Sequence, residues 1–185
     1  MRKKIADTAQ TLFLKEGYFA VSIRRIASEV GISPMTIYKY YDSKIHILRQ
    51  LWALIFKDVF AKIARISEEE NDPILRLNSI AQSYVGYWLN HPDHYRMVFM
   101  SEGVSQPEVS IFVEDEQMAE GLGLIARALF AALQAQQKEQ KIKLKTDLLL
   151  CNLIGISHAF ITISDYPWSS HEDVVNIAVQ GILNS

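Results

Sequence analysis

The stretch Ser22–Lys44, SIRRIASEVGISPMTIYKYYDSK, decides the fold of this chain. Ser22 is a good N-cap for a short helix with one apolar face. Gly31 ends that helix, because glycine accepts the positive φ that a tight turn requires. Ser33 then caps a second helix, and Pro34 occupies its first position, where a missing N–H costs nothing. Two short helices joined by a glycine turn predict a helix-turn-helix, whose second helix enters the major groove of DNA.

Spacing within this stretch supports the same prediction. Ala27 allows the two helices to approach closely, Gly31 follows four residues later, and Ile37 fills the angle between them. The same pattern also suits a structural helical hairpin with a solvated basic face, and that alternative stays open from these residues alone. The predicted exposed face of the second helix carries Pro34, Met35, Thr36, Lys39 and Tyr40.

A wider set of residues resembles the N-terminal domain of the tetracycline-repressor (TetR) family of transcription regulators. The resemblance covers roughly residues 1–50, and Met35 departs from it, since many relatives carry a small residue there. Beyond residue 50 only the helical layout and the length are similar. The matching residues are Ala9, Phe13, Gly17, Tyr18, Ile26, Ala27, Gly31-Ile32-Ser33, Thr36-Ile37-Tyr38, Tyr40-Tyr41 and Lys44.

The resemblance implies which side chains contact DNA. Cations and backbone N–H groups at helix N-termini suit phosphates, whereas side chains on the second helix of the motif can reach base edges. The predicted DNA-binding residues are Arg24, Arg25, Pro34, Met35, Thr36, Tyr38, Lys39, Tyr40 and Lys44.

Charge is distributed unevenly along the chain, although its net charge is only −2. Residues 1–65 contain 12 Lys and Arg against 5 Asp and Glu, a balance of +7, whereas residues 66–185 contain 7 against 16, a balance of −9. A basic N-terminal part on an acidic remainder suits binding of a polyanion at one end.

Composition limits the fold class and the compartment. The 185 residues are 49% hydrophobic and 22% charged, which is ordinary for a globular protein. Eight Gly and five Pro argue against the many turns of an all-β fold. The single cysteine, Cys151, excludes an intrachain disulfide. Polar residues interrupt any signal-like segment and the apolar run 148–163, which is too short to span a bilayer. We therefore expect a cytoplasmic protein that does not enter a membrane.

Helical periodicity and capping signals predict an all-α fold of about nine helices. A helix-turn-helix DNA-binding domain is expected at 1–46, with Phe13 and Phe19 in its core, and a helical effector-binding and dimerisation domain at 47–185. An acidic loop is expected at 67–71, and Gln134–Gln140 is expected to be an exposed polar helix end. The predicted helices are 2–16, the two of the motif, about 43–65, 73–90, 92–101, 107–138, 146–164 and 170–183.

The last two predicted helices, 146–164 and 170–183, are apolar on more than one face, which a surface helix packed on one core does not need. A fully internal helix in a monomer would show the same pattern. The family resemblance favours a homodimer through these helices, and a two-fold dimer is what a helix-turn-helix needs to read two half-sites of a palindromic operator about 34–36 Å apart.

Aromatic and Met residues of the second predicted domain suit an apolar cavity with few polar groups, as in a small-molecule site. The same residues at helical spacing also suit an ordinary core. Because many TetR relatives hold an effector in this domain, the resemblance favours a ligand site, with Trp88, Phe99, Phe130 and His158 as predicted lining residues.

Enzymatic and metal-binding interpretations find little support. His91 and His94 flank Asp93, but Pro92 distorts that helix and no third ligand stands out, so no metal, cofactor or catalytic residue is predicted. The expected function is a DNA-binding transcription regulator, a repressor released by a small apolar or aromatic effector. Alternatives are a ligand-independent regulator, an activator, and a regulator controlled by a protein partner.

Overall fold

The computed structural model describes residues 1–133 and 139–184, and these residues form ten α-helices and no strand. The all-α prediction is therefore confirmed. The helices are α1 (Arg2–Glu16), α2 (Ile23–Val30), α3 (Pro34–Tyr38), α4 (Lys44–Glu69), α5 (Pro73–Asn90), α6 (Pro92–Phe99), α7 (Gln106–Val113), α8 (Glu116–Ala132), α9 (Glu139–Thr162) and α10 (His171–Asn184).

The capping signals of the motif act as the sequence predicts. Ser22 Oγ accepts a hydrogen bond from Arg25 N at 3.1 Å, and Ser33 Oγ accepts one from Thr36 N at 3.2 Å. Gly31 has φ +79°, in the left-handed region, and ends α2. These contacts satisfy backbone groups that a helix end leaves without partners.

The chain divides into two compact units. The first contains residues 1–57 and 93–118, and the second contains residues 58–92 and 119–185, of which 134–138 and 185 lie outside the described residues. Helix α4 contributes residues to both units. This grouping follows contacts within the chain, so the functional boundary after residue 46 stays a prediction.

In the first unit, α1, α2 and α3 share a small core. Ile5, Ile26 and Ile37 are completely buried, and the rings of Phe13 and Tyr18 meet edge to face at 5.2 Å between centroids. Phe19 was expected in this core, but its side chain is 75% exposed. Tyr18 occupies the inward position of the turn instead, so the prediction for Phe19 is wrong.

A second group of rings in the first unit lies on α4, α6 and α7. The ring of Phe112 packs 5.2 Å from Trp52 and 5.8 Å from Phe56, measured between centroids. The Trp52 indole N–H donates to the Met97 carbonyl at 2.9 Å, a buried hydrogen bond that joins α4 to α6. These contacts explain why α6 and α7 group with the N-terminal helices.

The second unit has its core between α5, α9 and α10, which pack on one another. Leu77, Trp88, Leu153, Val175 and Val179 are completely buried there. Asp72 caps α5, its carboxylate accepting from two backbone N–H groups at 2.9 Å, as the Asp-Pro signal predicts.

Three helix boundaries differ from the sequence prediction. The expected helix over 107–138 is interrupted between Val113 and Glu116, where Asp115 Oδ1 accepts from Gln117 N at 2.9 Å and so starts α8; residues 134–138, with the predicted polar helix end, lie outside the described residues. Helix α4 continues to Glu69 through most of the expected acidic loop. Helix α9 begins at residue 139 instead of 146, so it is 24 residues long.

Candidate nucleic-acid interface

The angle between α2 and α3 is filled by small and apolar side chains. Ile37 is completely buried and Ala27 is 1% exposed, so one side of α3 is fixed against α2. The five-residue α3 therefore keeps its position through packing, since such a short helix is not stable alone. Its other side is left for a partner.

The predicted recognition face is solvent-exposed. Met35 is 70% exposed, Tyr38 is 49% exposed and Tyr40 is 37% exposed, and Lys39 is exposed as well. Large side chains on one short helix and its C-terminal turn stand in water in the single chain. An exposed cluster of this size on a helix that enters DNA grooves in other proteins is a candidate contact surface.

Two further predicted residues, Pro34 and Thr36, are half-buried at the start of α3. The Thr36 hydroxyl lies 2.9 Å from the Ser33 hydroxyl, so part of its hydrogen-bonding capacity is used within the helix cap. The predicted residues from 34 to 40 lie together on α3 and the turn that follows it. Whether they contact DNA stays a prediction.

Arg24 and Arg25 stand next to each other but differ in their surroundings. Arg25 donates to Glu29 Oε2 at 2.6 Å and to Glu16 Oε1 at 3.0 Å. The Glu29 and Glu16 carboxylates raise the pKa of Arg25, and its guanidinium lowers the pKa of Glu29. Arg24 is exposed and forms no such ion pair among the described residues. Arg24 is therefore the freer of the two cations for a phosphate.

Lys44 has a structural role that the sequence did not indicate. Its ammonium donates to the carbonyls of Tyr18 at 2.8 Å and Phe19 at 3.4 Å, and it lies 4.1 Å from the centroid of the Tyr18 ring. Partial burial lowers the pKa of Lys44. The first residue of α4 is thus tied to the turn between α1 and α2. Its predicted contact with DNA is untested.

Lys4 is a second cation with a structural contact. Its ammonium donates to the carbonyl of Val30 at 3.0 Å. Val30 is the last residue of α2, so the charge sits at the negative end of a helix dipole. Nothing local in the sequence indicates this contact, because the two residues are 26 positions apart.

The predicted ligand residues belong to both units and differ in their burial. Phe99, in the first unit, is 37% exposed and packs on Tyr95, with 4.7 Å between ring centroids. The other three belong to the second unit: Trp88 is completely buried, Phe130 is 42% exposed and His158 is exposed. Their role in binding an effector stays a prediction.

Within residues 1–133 and 139–184 no group of three or more His, Cys, Asp or Glu side chains is arranged so that it could hold a metal ion. One segment of α9, Lys141–Thr162, is long and apolar enough by length and composition to cross a membrane, with a mean hydropathy of 1.3. This segment is longer than the apolar run 148–163 that the sequence shows, and helices from the cores of soluble proteins pass the same test.

Comparisons with known proteins agree with the motif. The sequence model described as "Bacterial regulatory proteins, tetR family" matches residues 5–51. The transcriptional repressor KstR of Mycolicibacterium smegmatis is 34% identical over 77 residues, 42% of this chain and 38% of that protein. The nucleoid occlusion factor SlmA of Vibrio cholerae is 21% identical over 135 residues, 73% of this chain and 65% of that protein. The matched region thus spans less than two thirds of either relative.

Solved structures of similar fold cover nearly the whole chain. The fatty acid degradation regulator FadR of Bacillus halodurans has a TM-score of 0.76 at 18% identity, over 98% of this chain and 94% of that one. FadR of Bacillus subtilis, solved in complex with stearoyl-CoA, has a TM-score of 0.78 at 14% identity, over 99% and 98%. At such identities the similarity shows the fold alone.

The fold and the N-terminal motif define an all-α chain with an N-terminal helix-turn-helix similar to that of the TetR regulators. The match covers residues 5–51, and the family resemblance of residues 1–50 is confirmed.

Proposed function

We propose that this chain is a transcriptional repressor that binds a palindromic operator as a homodimer and leaves it when a small apolar or aromatic effector binds within residues 47–185. The observation that carries the proposal is the exposed face of α3, held by the completely buried Ile37. The match of residues 5–51 to a family model of bacterial regulatory proteins and the similarity to the repressor KstR support it.

The exposed apolar surface of α9 and α10 supports dimerisation. Leu144 is 68% exposed, Leu148 is 46% exposed and Ile177 is 72% exposed in the single chain. Only 22% of the most apolar window of α9 is buried. A monomeric soluble protein rarely leaves such an apolar helix in water, so a second copy is the proposed cover.

The effector part of the proposal is supported by a structural neighbour. FadR of Bacillus subtilis was solved with stearoyl-CoA, a ligand with a long apolar chain. In the second unit of this chain, Trp88 packs on the rings of Tyr84 and Tyr87 at 5.9 and 5.1 Å between centroids, so the predicted ligand residue Trp88 lies in a buried aromatic cluster. Helix α4 contributes residues to both units, which offers a covalent route for coupling.

A second candidate is a DNA-binding regulator that no small molecule controls, including an activator. The similarity to SlmA, named a nucleoid occlusion factor, and to the transcriptional activator FasR of Mycolicibacterium smegmatis, 20% identical over 113 residues, favours it. An effector that changes DNA affinity would decide for the first candidate.

The proposal is tested by fluorescence anisotropy with labelled duplexes from the region upstream of the gene for this protein. We expect log Kd to rise linearly with log salt, with a slope that falls by about 0.9 for each phosphate contact removed. Arg24→Gln should lower the slope by this amount. Glu68 is an exposed acidic residue on α4, so Glu68→Gln should leave the slope unchanged.

Stearoyl-CoA serves as the effector probe in the same assay. A coupling of about 1–3 kcal/mol predicts DNA affinity weakened about 5- to 150-fold at saturation. Ligand that binds the protein without changing DNA affinity would favour the second candidate. A purified chain that is monomeric and shows no salt-dependent affinity for these duplexes would refute the proposal as a whole.

A further inference from the structure

A groove of about 540 Å³ lies within the first unit, between the start of α1, the first turns of α4 and the end of α7. This volume falls in the range of small-molecule sites, about 300–1,000 Å³. No part of the proposed regulator function assigns a role to it. The residues that define its character are Arg2, Tyr41, His46, Arg49, Ile111 and Phe112.

Most charged groups of the groove already have partners. Arg2 Nε donates to Gln50 Oε1 at 3.2 Å, and the Arg2 guanidinium lies 4.9 Å from the centroid of the Tyr41 ring. His46 Nδ1 lies 3.1 Å from Asp42 Oδ2. The second carboxylate of the groove, Asp115, caps the start of α8. Both acids of the groove are therefore engaged.

Arg49 is the exception in its hydrogen bonding, although its charge interacts with the carboxylate of Glu108. Arg49 is half-buried, and its Nε is completely buried without a hydrogen-bond partner among the described residues. A buried donor without an acceptor is costly, and a guanidinium is best satisfied by a planar anion that accepts two parallel hydrogen bonds. The groove lining therefore includes a cation with one buried donor that has no hydrogen-bond partner, and the two acids of the lining are held by other groups.

Part of the groove wall is apolar. This part consists of Ala53, of the buried Phe112 and of Ile111, whose side chain is 57% exposed. An inorganic anion would use only the guanidinium, whereas a molecule with an apolar body would also cover this wall and gain from removing it from water.

We propose that this groove binds a small organic carboxylate with an apolar body, its carboxylate paired with Arg49 and its body against Ile111 and Phe112. Tyr40, a predicted DNA contact, lines the same groove. A ligand in the groove should therefore weaken DNA binding by the first unit, and bound DNA should weaken ligand binding. That consequence alone rests on the proposed function; the binding itself does not.

The test is NMR on the full-length protein with ¹⁵N-arginine and methyl labels, titrated with naphthalene-2-carboxylate up to about 10 mM. We expect saturable shifts of the Arg49 Nε–H and Ile111 methyl signals. The uncharged 2-naphthalenemethanol and inorganic phosphate, titrated separately, should each bind about tenfold more weakly, because each lacks one half of the recognition.

Two variants locate the site. Arg49→Gln should weaken naphthalene-2-carboxylate binding about tenfold, and Arg96→Gln, an exposed arginine on α6 outside the groove, should not change it. Ile111→Ser, at an exposed position that folding tolerates, should weaken the naphthoate about threefold without changing phosphate binding.

Three results would overturn the inference: no saturable shift of the Arg49 signal, phosphate binding as tightly as the naphthoate, or naphthoate binding that survives Arg49→Gln and Ile111→Ser unchanged. The same samples are then assayed with operator DNA. Naphthoate binding without an effect on DNA affinity would contradict only the proposed competition between ligand and DNA. If the unliganded protein does not bind operator DNA at all, the proposed function is contradicted, and the groove inference still stands.

Discussion

Replacing Lys44 by Met tests whether one cation holds the start of α4 to the turn between α1 and α2. Methionine keeps an unbranched apolar stem and removes the ammonium. The carbonyls of Tyr18 and Phe19 lose their donor, and the Tyr18 ring loses a cation 4.1 Å from its centroid.

The magnitude follows from three contributions. A hydrogen bond from a charged donor stabilises by about 1.5–3 kcal/mol, and a partly exposed cation–π contact adds about 0.5–1 kcal/mol. The lowered pKa of Lys44 shows that partial burial of the ammonium opposes these gains. We expect Lys44→Met to reduce the free energy of unfolding by about 1–2 kcal/mol, which lowers Tm by about 2–8 °C in a chain of this size.

The assay is thermal and urea unfolding followed by circular dichroism, with hydrogen exchange of the amides in residues 17–31 as a local readout. Lys39→Met is the matched control, because Lys39 is exposed and its ammonium makes no hydrogen bond among the described residues. Both variants remove a predicted phosphate contact, so both should reduce the salt slope of DNA binding by about 0.9. Equal stability of the two variants would refute the structural role of Lys44.

Three further predictions concern packing, pH and assembly. Ile37→Ala empties a completely buried position and should cost about 2–5 kcal/mol in urea unfolding, whereas Met35→Ala, 70% exposed, should cost little; equal effects would contradict the packing of α3. Burial raises the pKa of the Tyr87 phenol to about 12 from its usual 10, so its stabilising effect is complete below pH 10 and is lost as pH rises toward 12. Unfolding at pH 8 to 12 should show a smaller alkaline loss of stability in Tyr87→Phe than in the wild type, and parallel curves would exclude the effect. Leu148→Glu places a charge on the proposed dimer surface and should give a monomer by light scattering with an unchanged helical spectrum, whereas a dimer that persists would place the interface elsewhere.

The predictions that succeeded depend on neighbouring residues. The N-caps at Ser22 and Ser33, the glycine turn at Gly31 and the Asp72-Pro73 helix start each involve groups within four positions of each other. The helix break at Asp115 also depends on neighbouring residues, but the sequence did not predict it. The segment contains neither Gly nor Pro, and the apolar residues on both sides continue the helical period through it.

The contacts that the sequence did not reveal join residues far apart in the chain. Lys44 reaches carbonyls 25 and 26 residues away, and Lys4 reaches one 26 residues away. A sequence shows these lysines only as positive charges in a basic region, so phosphate contact is the natural expectation for all of them. The sequence likewise does not show which of the neighbouring rings, Tyr18 or Phe19, turns into the core. Tyr18 does so because its ring packs on Phe13.

By itself, the sequence determined the all-helical fold, the helix-turn-helix and the family resemblance of residues 1–50, because caps, glycine turns and apolar periodicity act between residues close in the chain. Only the tertiary structure decided which cations are used internally, that α6 and α7 group with the N-terminal helices, and that Arg49 lines a groove together with apolar side chains. Those features depend on which distant side chains meet when the chain folds, and burial and pairing of charges are set at that stage.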